Sequence, residues 1–139
     1  MTELYSVMKL NSFLIKIADI KNTLNNLEYS HTSYDYLETE LHTIEDEMLQ
    51  EFEPLLKEAL HLIHDKFCKE EDILSPLAYI APNYIKRLDE TYFPEHDSGV
   101  KISLSQYPNT ETKLVLVPGP ARFVLLIGQT KQKTILKFK

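Results

Sequence analysis

At 139 residues, 43% hydrophobic and 26% charged, the chain has room for one domain with a real core, and its composition is ordinary for a globular protein. A single cysteine, Cys68, excludes an internal disulfide, and no apolar run is long enough for a membrane-spanning helix. The formal charge of −6 conceals a division: from Thr112 onward there are six basic residues and no acid, whereas the first 111 residues hold nine basic residues against all 21 acids.

Leu10, Phe13, Ile17, Ile20, Leu24 and Leu27 advance in alternating steps of three and four, the period that keeps one stripe of a helix against a partner. Tyr34, Leu37, Leu41, Ile44 and Met48 repeat the pattern after a polar break at Glu28 to Ser33. A break this short turns the chain back on itself, so an antiparallel helical hairpin is expected. Ser33 or Thr32 suits the cap of the second helix, with Asp35 in its first turn. Residues 3–9 extend the first helix with a different face, where a bend or fraying is expected. Lys16 and Asp19 interrupt the apolar stretch Phe13 to Ile20, so no secretory leader is expected and the chain reads as soluble and cytoplasmic.

The second helical pattern continues to about Lys69, with Pro54 in its middle. Proline removes a backbone donor and collides with the preceding turn, so a kink or a break is expected there. Beyond it Leu55, Leu56, Ala59, Leu60, Ile63 and Phe67 form a wider stripe suited to burial under a sheet. Ser75-Pro76 reads as the start of a short third helix, interrupted by Pro82 and carrying Leu77, Ile80, Tyr84, Ile85, Leu88 and Tyr92.

After Gly99 the apolar period changes to two: Val100, Ile102 and Leu104 alternate with Lys101, Ser103 and Ser105. Lys113 to Val117, Ala121 to Ile127 and Lys133 to Phe138 follow, separated by Pro118-Gly119-Pro120 and by Gly128 to Lys131. The expected fold class is α+β: a helical part at 1–94 and a four-stranded antiparallel meander at 99–139, in one domain. The two middle strands are apolar on both faces, and such strands are covered on both sides. The helices of one chain readily cover one face. The other needs the hairpin to wrap around it or a second copy of the chain, and a homodimer is the expected solution.

His61, His64, Asp65 and Cys68 fall within one arc of the second helix and comprise imidazole, carboxylate and thiolate, the ligands of zinc and related metals. They are the candidate metal ligands, although the arc is read as the polar face, opposite Leu55, Ala59, Ile63 and Phe67. Glu58 and His61, like Glu28 and His31, have the spacing of di-iron carboxylate sites, but such sites need inward ligands from four helices. His42, with Glu38, Glu45 and Asp46 a turn away, is a candidate pH-sensitive contact. His96, between Glu95 and Asp97 in a loop, is a candidate acid–base residue.

With three glycines, no phosphate-cradling loop or dinucleotide fingerprint is present. No cofactor is expected. The basic strands with Phe123 and Phe138, and Tyr107 nearby, have some features of a single-strand nucleic-acid platform, though the chain as a whole is acidic. Tyr29, Tyr34 and Tyr36 at the hairpin tip suit either a contact patch or a local aromatic staple. The acidic helix and basic tail are expected either to be separate solvated faces or to attract one another, within a chain or between two copies.

Three functions compete. The favoured one is a non-enzymatic protein-binding or scaffolding module working as a homodimer. The alternatives are a metal-dependent enzyme using the second helix or the His96 loop, and polyanion or nucleic-acid binding by the basic sheet.

Overall fold

The structure is a computed structural model and describes residues 2–69, 71–95 and 98–138. Helix α1 (Thr2–Asn25) and helix α2 (Tyr34–Phe67) form the expected hairpin. The α1 helix runs uninterrupted back to Thr2, although fraying was expected there. Its core-facing residues are Leu10, Leu14, Ile17 and Ala18, while Phe13, Ile20 and Leu24 are half-buried at the margin. From α2 the buried set is Leu41, Met48 and Phe52, and the Phe13 and Phe52 rings meet edge to face at 6.1 Å. Tyr29 and Tyr34 close the hairpin turn with ring centroids 4.9 Å apart, which is the staple, while Tyr36 points outward. Ser33 occupies the N-cap position of α2 but its side chain makes no capping bond.

Pro54 does not end α2, which continues as one helix to Phe67. It costs the helix one backbone bond, because the Gln50 carbonyl has no N–H to receive at position 54. The C-terminal half of α2 buries Leu56, Ala59, Leu60 and Ile63. Leu55, expected in this stripe, is 37% exposed, because the buried arc is centred one residue further round the helix.

The short third helix is a single 3-10 turn, Pro76–Tyr79, with proline in its first turn as expected. The helical continuation does not form. Strands β1 (Tyr84–Lys86) and β2 (Tyr92–Pro94) pair antiparallel there instead, with Ile85 opposite Phe93. Two causes are visible. Pro82 interrupts the helix, and Tyr84, Ile85, Tyr92 and Phe93 are strand formers that alternate in and out. Tertiary contacts then hold the extended backbone: the Asn22 side chain of α1 accepts from the Tyr84 N–H at 2.8 Å and donates to the Tyr84 carbonyl at 3.0 Å.

Strands β3 (Val100–Ile102), β4 (Thr112–Val117), β5 (Arg122–Ile127) and β6 (Lys131–Lys137) form the expected antiparallel meander in chain order. Gly99 opens β3 at φ +97, where a Cβ would lie 2.5 Å from Val115 Cγ2 and 2.7 Å from the Leu114 carbonyl oxygen. Neither the conformation nor the space admits a side chain. A register irregularity at Phe123/Val124 twists the pairing of β5 with the edge strand β6.

Both faces of the middle strands are covered by this one chain. Leu114, Val115, Leu116 and Val117 are fully buried, and every residue of β5 is buried. Around them lie Tyr79, edge to face with Phe123 at 6.1 Å, and Ile80, bridged to Leu116. Tyr84 donates its hydroxyl to the Leu116 carbonyl at 2.6 Å. Helices, hairpin and sheet share one contiguous apolar core. A second copy is therefore not needed to cover the sheet, and that ground for a homodimer falls away.

Candidate functional site

The four candidate metal ligands divide between two faces of α2. His61 and Asp65 are exposed, whereas His64 is 3% and Cys68 6% exposed, so the expected outer polar arc holds only its first and third members. His64 Nδ1 lies 3.0 Å from the Glu71 carbonyl oxygen. A carbonyl only accepts, so Nδ1 carries the proton, and the buried Nε2 has no partner among the described residues. Burial, reinforced by the nearby Glu71 carboxylate, raises the Cys68 thiol above its ordinary pKa and keeps it protonated. That disfavours the free thiolate that a nucleophilic mechanism requires. No three His, Cys, Asp or Glu side chains converge on a common point among the described residues.

The other titratable candidates are scattered. His42 Nδ1 lies 3.2 Å from Glu45 Oε1 in a contact between neighbouring turns of one helix. In the hairpin turn His31 Nδ1 accepts the Ser33 N–H, while Glu58 and His61 both face solvent. His96 and Asp97 lie outside the described residues.

Of the rings named for base stacking, Tyr107 is half-buried, and the two on the sheet itself are turned into the core. Phe123 is fully buried and packs on Phe138 at 5.9 Å, and Phe138 is itself 8% exposed. Arg122 is turned inward as a clip: its guanidinium donates to the carbonyls of Pro118 and Pro120, each at 2.9 Å, and of Tyr92 at 2.7 Å. It also lies over the Phe93 ring, whose centroid is 4.0 Å from the Arg87 guanidinium carbon. Burial lowers the Arg122 pKa from its ordinary value, and the three carbonyls hold the charge in place of a carboxylate. The lysines of β6 (Lys131, Lys133 and Lys137) remain outside and exposed.

One open surface with exposed apolar side chains lies between α2 and β6. A groove of about 300 Å³ runs between Leu55, Glu58 and Leu62 on the helix and Leu136, Lys137 and Phe138 on the strand side. Leu62 is 60% exposed, on a helix whose other face is the core. Beside the groove, β6 is the last strand of the sheet, and its outer backbone edge has no strand partner among the described residues. Lysines and a bulge are the usual protection of such an edge. They account for the basic residues of β6 but not for exposed leucines on the adjoining helix.

Leu62 was not apparent as a site residue from the sequence, although a signal exists. At 100° per residue Leu55, Glu58, Leu62 and Asp65 lie on one flank, so two leucines interrupt a polar stripe. Two other hollows offer no catalytic constellation. One, between α1 and α2, is lined by Lys9, Phe13, Glu47, Gln50 and Glu51; the other, in the loop joining β3 to β4, contains no histidine or cysteine. No helix among the described residues is long and apolar enough to cross a membrane. Comparison with protein-family models, with curated proteins and with solved structures gives no match, so what this chain does must be read from its own surfaces.

Proposed function

We propose that the chain is a non-enzymatic, cytoplasmic protein-binding module that docks its partner along the α2–β6 face. One observation carries this reading: Leu62, 60% exposed, stands with Leu55 over a groove that adjoins an unpaired sheet edge. Apolar side chains left out beside a rim of charge are what a docking site provides, since its centre gains from desolvation and its rim from orientation. A hydrolytic or redox role would require converging ligands or an activated nucleophile, and the protonated, buried Cys68 thiol supports neither. Polyanion binding is less well supported, because Phe123 and Phe138 are spent on the core. A homodimer is one form of the docking reading.

Leu62→Glu introduces a charge at the groove without touching the core. Proteins retained by the immobilised wild-type chain from a cytoplasmic extract are expected to be lost with this variant, whose circular dichroism and melting should match wild type. Retention of the same proteins by the variant would contradict the reading.

A further inference from the structure

We propose that the occupant of the α2–β6 groove is a second copy of this chain, seated by a two-fold rotation that lays the α2 flank of each copy against the β6 edge of the other. The inference rests on the docking reading above and adds the identity of the partner.

The face contains both halves of its own complement. On the helix side Leu55, Glu58, Leu62 and Asp65 are spaced by three, four and three residues and occupy an arc of about 80°. On the strand side Leu136 and Lys137 line the groove, and Lys133, across the bulge and opposite Leu125, lies outside the lining. Among the lining residues the apolar centre is thus flanked by Glu58 on the helix and by Lys137 on the strand, with Asp65 and Lys133 beyond the lining and Lys66 exposed on the same helix. Glu58, Asp65, Lys133 and Lys137 take no part in the ion pairs formed among the described residues, which are Lys9–Glu51, His42–Glu45, Lys57–Glu53 and Lys113–Glu111.

A two-fold axis through such a face brings acid to lysine twice and leucine to leucine at the centre. A self-complementary patch is the requirement of an isologous dimer. A foreign partner would need only one of the two charged flanks. Direct pairing of β6 with β6 is the competing arrangement between copies, and it is disfavoured because lysines would face lysines across the new ladder. Laying the helix flank on the strand edge avoids that repulsion.

The test uses two double variants of the full chain, Glu58→Lys/Asp65→Lys and Lys133→Glu/Lys137→Glu, with mass measured by sedimentation velocity across the micromolar range. Wild type is expected to dimerise, and each variant by itself to dimerise about tenfold more weakly or worse, because both flanks then carry one sign. Mixed in equal amounts, the two variants are expected to form a heterodimer, since the basic helix of one meets the acidic strand of the other. An intramolecular role for these charges predicts no such rescue. The first variant also brings the net charge nearer zero, so general repulsion between copies cannot explain its loss of self-association. If either double variant fails to fold, Glu58→Lys mixed with Lys137→Glu asks the same question with one change per chain. Wild type that stays monomeric, variants that dimerise like wild type, or a mixture that stays monomeric would each overturn the proposal. Should wild type be monomeric while Leu62→Glu still abolishes retention of other proteins, the docking reading stands and the second copy is the part that fails.

Discussion

Tyr84 joins three parts of the molecule through one hydroxyl. It accepts from the Ala81 N–H at 2.8 Å and donates to the Leu116 carbonyl at 2.6 Å, with its ring 4% exposed. Tyr84→Phe leaves both backbone groups buried without that partner and is expected to cost about 1–3 kcal/mol at neutral pH, read from urea unfolding. Burial raises the Tyr84 pKa above its ordinary 10.0, so on raising the pH the unfolded chain releases this proton before the folded one does. The stabilisation is whole below about pH 10 and falls as pH climbs beyond it, because the unfolded state then binds fewer protons. Unfolding repeated near pH 10.5 should show a smaller alkaline loss in Tyr84→Phe than in wild type. An equal loss in both would remove Tyr84 as a cause. At this scale the sequence was least legible. The arc of His61, His64, Asp65 and Cys68 is real in projection, but His64, bonded to the Glu71 carbonyl, and Cys68 are buried while the other two are exposed. Projection onto one helix does not reveal what lies over it.

At the scale of elements, the hairpin of helices and the meander were legible because each repeats its period over many residues. Leu10 to Leu24 and Leu41 to Phe52 keep helical spacing, and Leu114 to Val117 with Phe123 to Ile127 give two doubly apolar strands. The segment from Tyr84 to Tyr92 reads as helical because few positions distinguish a period of two from one of 3.6. Its strand form is held by Asn22, 62 residues away in the chain, a contact that no local pattern encodes. Pro54 predicts a kink or a break, yet α2 passes through it as one helix. The packing of Phe52 and Leu56 on either side holds the helix together across the missing bond. Pro54→Ala restores a donor to the Gln50 carbonyl and removes the ring clash, with a smaller opposing effect from the freer unfolded chain. A net gain of about 1–2 kcal/mol in unfolding free energy is expected. A neutral or negative change would mean that the helix has adapted fully to the proline.

At the scale of the whole molecule, the doubly apolar strands predict coverage of both faces but not what supplies it. The middle strands are closed to water on both sides, as their composition requires, but α1, α2, the β1–β2 hairpin and the 3-10 turn achieve this within one chain. The surface proposed for a partner is the flank where Leu62 and Leu55 meet the β6 edge. The charge division visible in the sequence falls across that same flank, acids on α2 and lysines on β6. Amide hydrogen exchange followed over a range of protein concentration separates the closed core from the open face. Protection of β4 and β5 is expected to be strong and independent of concentration, while protection of β6 rises as the chain is concentrated. Loss of β4 and β5 protection on dilution would contradict a core that one chain completes by itself.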